Sequence, residues 1–186
     1  MLSKKDIEKK VDKGEIKIEP WEPSNLKPAS LAVHLDNEVA RPKTGEIDPL
    51  SEEDYEQYFE KQTLSMGETI KLNPGDFVLA RTRESFGIPK DIAALMDGKT
   101  TLARLGLSVT QGAMLIHPGS GEPKPRKIVL EIKNDGPFTI KLTSEMQIGE
   151  VFFHELKTPT DIAYDEGWDY GLRKRLDELT PKTESF

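Results

Sequence analysis

A chain of 186 residues with 35% hydrophobic and 32% charged side chains fits one domain whose core needs no staples, and its apolar runs fall short of the ~20 residues of a membrane span. The formal net charge of −7 lacks the broad basic excess of a nucleic-acid binder, yet leaves room for a small anionic ligand wherever basic groups gather. With no cysteine there is no disulfide and no thiolate, and three scattered histidines, His34, His117 and His154, do not replace the missing ligands of a zinc site.

The opening MLSKKDIEKK is polar throughout rather than basic then apolar, so a cytoplasmic location is the expectation. Ser3 as N-cap, Asp6 three residues on, Ile7 and Val11 on one face and Gly14 at the end predict a short helix. Strands are predicted over residues 16–19, 31–35, 68–72, 77–82, 127–133, 138–142 and 148–156, with NPGD and NDGP as turns. Residues 41–66 are polar and acidic and read as a long excursion with one helical turn around 52–59. PGSGEPKPRK, residues 118–127, is too rich in proline and glycine to be regular. The pattern is that of a mainly β domain over 1–156, followed by a tail over 157–186. YGLRKRLDEL in that tail has helical spacing but little apolar content, as in a segment that docks on something or frays.

Three stretches carry candidate chemistry. In KIVLEIKN, strict alternation sets Ile128, Leu130 and Ile132 on one face and Val129, Glu131 and Lys133 on the other. Glu131 is then either a solvated strand residue or a carboxylate in a cleft wall, where burial suits it to general acid and base work. DGKTTLARLGL gathers Lys99, Thr100, Thr101 and Arg104. It is either a capped turn with a structural ion pair, or a cradle of hydroxyls, N–H groups and a lysine for phosphate oxygens, with Arg104 set against a carboxylate. Its spacing is not that of a Walker loop. In QGAMLIHPG, the pair Gly112 and Ala113 permits close backbone approach by a flat ligand, and the loop ends on His117, a turn residue or a ligand contact.

Taken together, LKPASLAVHLDNE, GETIKLNPGDFVLARTRESFGIPKDIAALMDGKTTLARLGL, LIHPGSG, KIVLEIKN and MQIGEVFF resemble the dCTP deaminases and trimeric dUTPases, in order and spacing from about Leu2 to Leu156. The resemblance implies a distorted jelly-roll or β-clip subunit of dUTPase-like type, assembled as a homotrimer with active sites between subunits and a C-terminal tail folding over the nucleotide. In the deaminase branch, water attacks C4 of dCTP without zinc, giving dUTP and ammonia; magnesium accompanies the triphosphate. The family glutamate falls on Glu131, in the VLE run with Val129 and Leu130 as binding positions. Thr100 falls on the serine that orients the water, Thr101 on a phosphate-binding serine, Arg104 on the arginine beside the catalytic carboxylate and Lys99 on an arginine that grips the triphosphate. Ala113 matches a small residue whose backbone faces the base, and Tyr164 a tail tyrosine.

Several motif positions depart from the family. Ala32 and His34 stand where SxDLRL has aspartate and arginine, and His117 stands where an aspartate contacts the sugar 3′-hydroxyl and, in dUTPases, activates the water. Lys99 keeps charge but loses the bidentate fork. An insertion adds Lys124, Arg126 and Lys127 between His117 and Glu131, either as phosphate charge or as a solvated loop. The expected activity is dCTP deamination. The alternatives are a dUTP diphosphatase or bifunctional deaminase–diphosphatase, and a non-catalytic trimeric nucleotide-binding regulator.

Overall fold

The chain folds around one long strand. Strand β2 (Leu31–Pro42) gives its first half to β11 (Gln147–Glu155) and its second half to β5 (Phe77–Gly87), with an irregularity in the β5 pairing between Leu35 and Val39 where it passes from one to the other. This computed structural model describes residues 1–48 and 55–164. β9 (Arg126–Asn134) and the short β7 (Leu107–Ser108) extend the sheet beyond β5; β6 (Ile92–Gly98) and β8 (Leu115–Ile116) extend it beyond β11. β1 (Lys17–Glu19) pairs with β5 and β3 (Phe59–Thr63) with β2, while β4 (Thr69–Leu72) and β10 (Ile140–Thr143) form a separate two-stranded sheet. All named strand pairs are antiparallel, so hairpins and loops suffice as connections.

The N-terminal helix α1 (Lys4–Asp12) forms as its sequence predicts. Asp6 N donates to Ser3 Oγ (3.4 Å) and Ser3 N to Asp6 Oδ2 (3.1 Å), a reciprocal cap that satisfies two N-terminal donors. Leu2 N donates to Phe153 O (2.7 Å), and Ile7 is fully buried, so the helix closes over the inner end of β11.

The mainly β architecture agrees with the alternation in the sequence, and the differences have local causes. β2 and β5 run further than predicted because both pass through irregularities that break the period of two. On β5, Thr82 Oγ1 donates to Glu84 O (2.7 Å) and accepts from Ile128 N (2.9 Å), replacing the ladder bonds that the irregularity removes. β3, β6 and the two-residue strands β7 and β8 are absent from the prediction. β3 is polar and mostly exposed along its length. β6 opens on Ile-Ala-Ala-Leu-Met, which lacks a polar alternate. β10 begins at Ile140 rather than Phe138, because Phe138 O is taken by the Asn134 side chain (2.7 Å) and Phe138 is 59% exposed. In the excursion, a 3-10 turn spans Tyr55–Tyr58; residues 49–54 and the YGLRKRLDEL spacing lie outside the described residues. Among the described residues no helix is long and apolar enough to cross a membrane.

Candidate functional site

β9 decides which side chains face the core. Leu130 and Ile132 are fully buried beneath it, and Val129 and Glu131 stand on the opposite face in the wall of an open cleft of ≈ 700 Å3. The alternation therefore places Glu131 as read from the sequence. The Leu130 side chain lies in the core, on the face that alternation gave it, so any contact of Leu130 with a ligand would run through its backbone.

Ala113, His117 and Tyr164 line the same cleft. Thr110 bridges in parallel to Glu131, and Ala113 N donates to Thr110 O (2.7 Å), so the turn before β8 is anchored beside the carboxylate. Gly112 takes φ +91°, and a Cβ there would meet nothing within 4 Å: the glycine serves the backbone conformation and leaves that side of the turn open. His117 and Tyr164 stack with ring centroids 4.5 Å apart and planes 13° from parallel. Tyr164 N donates to Pro118 O (3.1 Å), which docks the start of the tail on the His117 loop.

A second group lies elsewhere on the chain. Lys99 caps the short helix α2 (Thr100–Ala103); its N–H donates to Ile148 O (3.2 Å) and its Nζ to Gln147 Oε1 (3.1 Å). Thr100, Thr101 and Arg104 are exposed and do not line the Glu131 cleft. After α2 the chain turns at Gly106 (φ +91°) and packs against residues 134–136, with Asp135 N donating to Gly106 O (2.8 Å). Within one chain the candidate residues thus form two sets: Ala113, His117, Val129, Glu131 and Tyr164 in the cleft, and Lys99, Thr100, Thr101 and Arg104 apart from it.

Of the other charged groups of the cleft, Arg81 went unread in the sequence, whereas Arg126 and Lys127 were read as either phosphate charge or a solvated loop. Arg81, Arg126 and Lys127 line the cleft. Lys127 Nζ is bonded to the buried Asp36 (Oδ2, 2.5 Å). Lys124, the third basic group of the insertion, is not in the lining. Arg81 was detectable from FVLARTR, where alternation sets Leu79 and Arg81 opposite the core residues Val78 and Ala80. Asp36 was not, because it falls in the irregular part of β2.

The departures at 32 and 34 are structural positions here. Ala32 is buried opposite Glu150, whose Oε2 accepts from Ser30 Oγ (2.6 Å). His34 meets Glu84, a carboxylate only 1% exposed: Glu84 accepts from His34 N (2.9 Å), His34 Nδ1 (2.7 Å), and Arg83 Nε (3.2 Å) and Nη2 (3.0 Å). Arg83 also reaches Glu22 (3.1 Å) and Glu145 (3.0 Å); burial pulls its pKa down, but Glu84 first, then Glu145 and Glu22, hold it above the ordinary arginine value.

Comparison with known proteins agrees with this architecture. Residues 1–156 match the family model described as dCTP deaminase-like. A "dCTP deaminase, dUMP-forming" of Kocuria rhizophila is 35% identical over 177 residues, 93% of this chain and 88% of that protein. A "dCTP deaminase" of Natronomonas pharaonis is 35% identical over 169 residues, 88% and 85% of the two chains. The crystal structure of 2′-deoxycytidine 5′-triphosphate deaminase from Agrobacterium tumefaciens superposes with a TM-score of 0.61 at 19% identity, over 83% of this chain and 47% of that one, a likeness of fold. With a family model spanning most of its length and relatives at this identity along nearly their whole chains, this protein belongs to the dCTP deaminase-like family.

Proposed function

We propose that this protein deaminates dCTP, or a closely related cytosine deoxynucleotide, to dUTP and ammonia without zinc. The observation that carries the reading is Glu131, held mid-strand on the cleft face of β9 with its neighbours Leu130 and Ile132 locked in the core. A carboxylate fixed in this way keeps one orientation while it accepts a proton and returns it. Water loses a proton to Glu131 as its oxygen bonds to C4. The carboxyl passes that proton to ring N3, then takes the second proton from the new C4 hydroxyl and delivers it to the exocyclic nitrogen; the C4–N bond breaks as C4=O forms, and ammonia leaves with Glu131 ionised as at the start.

Ala113 and Val129 offer backbone groups to the base, and His117 and Tyr164 form the flat wall on the sugar side. Thr100 orients the water, Arg104 stands by the carboxylate, and Lys99 and Thr101 hold the phosphates, with magnesium entering on the triphosphate as part of the substrate. Those four residues reach a cleft only if it is completed by a neighbouring subunit. This favours a homotrimer with shared sites, whose closed symmetry also covers strand edges.

The test is conversion of dCTP with ammonia release by the purified protein, and its loss in Glu131→Gln. Binding of dCTP without turnover in the presence of magnesium overturns the reading and favours a nucleotide-binding regulator. A second reading, continuation to dUMP, is raised by the name of the Kocuria relative. The stacked His117 in place of a carboxylate opposes it, so dUTP is the expected end product and no pyrophosphate is released.

A further inference from the structure

Glu131 shares its sheet face with a row of charges on β5 and, beyond β5, on β2. β5 lies between β9 and β2. Across β9, Leu79 is opposite Glu131 and Arg81 opposite Val129, so Arg81 stands diagonal to Glu131, a spacing that long side chains span; both line the cleft. Across β2, Val39 is opposite Ala80, and Glu38, the next residue, falls beside Arg81, whose charge acts on it. Carboxylate, guanidinium and carboxylate therefore follow one another over three adjacent strands.

Glu38 is an uneasy member of this row. It is half-buried, and its Oε2 accepts no hydrogen bond from the described residues. Burial, and then the neighbouring Asp36, push its carboxyl above the usual carboxylate range, against the opposing pull of Arg81, Lys127 and Lys61. The remaining charges that face the row are few. Asp36 is neutralised by Lys127, Lys133 further along β9 is paired with Asp135 (2.9 Å), and Arg126, His117 and Tyr164 complete the cleft.

We propose that Arg81 and Glu38 are positioning residues for Glu131: one guanidinium, shared between the carboxylates on either side of it, sets how readily Glu131 takes and returns a proton. The proposal rests on the reading of Glu131 as the general acid and base. A positive neighbour favours the ionised form of a carboxylate, and a further negative charge disfavours it. With Glu38 ionised, part of the field of Arg81 is cancelled and Glu131 binds a proton more readily, which suits a base working near neutrality. With Glu38 neutral, less of that field is cancelled, and the ionised form of Glu131 is favoured. Neither Arg81 nor Glu38 touches substrate or transfers a proton in this scheme.

The two substitutions that test it act in opposite directions. In the full chain labelled with 13C at the glutamate carboxyls and free of nucleotide, the Glu131 resonance is assigned by its loss in Glu131→Gln, and its titration is followed by NMR. Arg81→Met is expected to raise the Glu131 midpoint, Glu38→Gln to lower it, and Arg81→Lys to restore most of the wild-type value. In the turnover assay, the acid limb of kcat/KM for dCTP moves the same way, changing the rate about tenfold at a fixed pH on that limb while KM stays near its wild-type value. A Glu131 midpoint that stays fixed in both variants, or moves in the same direction in both, overturns the proposal. The titration needs no turnover. A wild-type protein that leaves dCTP unchanged therefore sinks the reading of Glu131 as catalyst without deciding the charge row, and a fixed midpoint in an active enzyme sinks the charge row alone.

Discussion

At the scale of single residues, His34 shows how a departure from a family motif is absorbed. Its ring is shorter than the arginine the motif expects, yet Glu84 does not lose its cation, because Arg83 from the neighbouring strand position supplies it through two hydrogen bonds. A carboxylate at 1% exposure needs these donors, and removing it leaves His34 N, the His34 ring and one edge of Arg83 without their acceptor. Glu84→Ala is therefore expected to destabilise the fold by about 3 kcal/mol, read as a lowered denaturant midpoint with an unchanged m-value, whereas His34→Gln, which keeps a donor and the backbone bond, costs far less. The sequence exposed the substitution at 34 but not its remedy, because the partner is 50 residues away and only the pairing of β2 with β5 brings it near. Glu38 makes a second prediction at this scale. Its folded carboxyl binds protons more readily than an unfolded one, so its contribution to stability is most favourable at acid pH, below the ordinary glutamate pKa, and is lost as pH rises through its raised folded value. Glu38→Gln should then raise Tm at pH 7–8 relative to wild type and leave it nearly unchanged at pH 4.

At the scale of elements, regular alternation was legible and irregularity was not. KIVLEIKN declared its two faces because β9 keeps its period through Glu131, which is why the central residue of the candidate site was readable from eight letters. Asp36 and Glu38 went unread because they sit where β2 changes partners and its register slips, so alternation no longer assigns a face. The NDGP turn was legible, but what it packs against was not. A Cβ at Gly136 would lie 1.9 Å from Leu105 O, so the NDGP turn presses directly on the backbone that follows Arg104. Gly136→Ala must push the two segments apart. It is expected to cost about 2–3 kcal/mol and, because the displaced segment carries Lys99 to Arg104, to raise KM for dCTP more than a core substitution of equal destabilisation, such as Ile132→Val with a second trimmed methyl elsewhere. Paired thermal melts and Michaelis curves separate the two effects.

At the scale of the whole molecule, the sequence motifs read as one site while the folded chain holds them as two sets. The cleft contains Glu131, and the segment with Thr100 and Arg104 faces solvent elsewhere. If each site of a homotrimer takes its glutamate from one subunit and its threonine and arginine from the next, two inactive variants repair each other. In a trimer reassembled from equal amounts of Glu131→Gln and Arg104→Ala, a site is intact only when a subunit with Glu131 meets a neighbour with Arg104. Random mixing makes about a quarter of sites intact, so about a quarter of wild-type dCTP turnover should return, although each variant alone gives none. If both residues serve the same subunit's cleft, every site carries one defect and the mixture stays as inactive as its parents. Mass measurement in solution accompanies the assay, because subunits that do not exchange give the same silence as sites that are not shared. The composition of the mixed trimers separates these cases, and exchanged trimers with no recovered turnover would contradict the shared site.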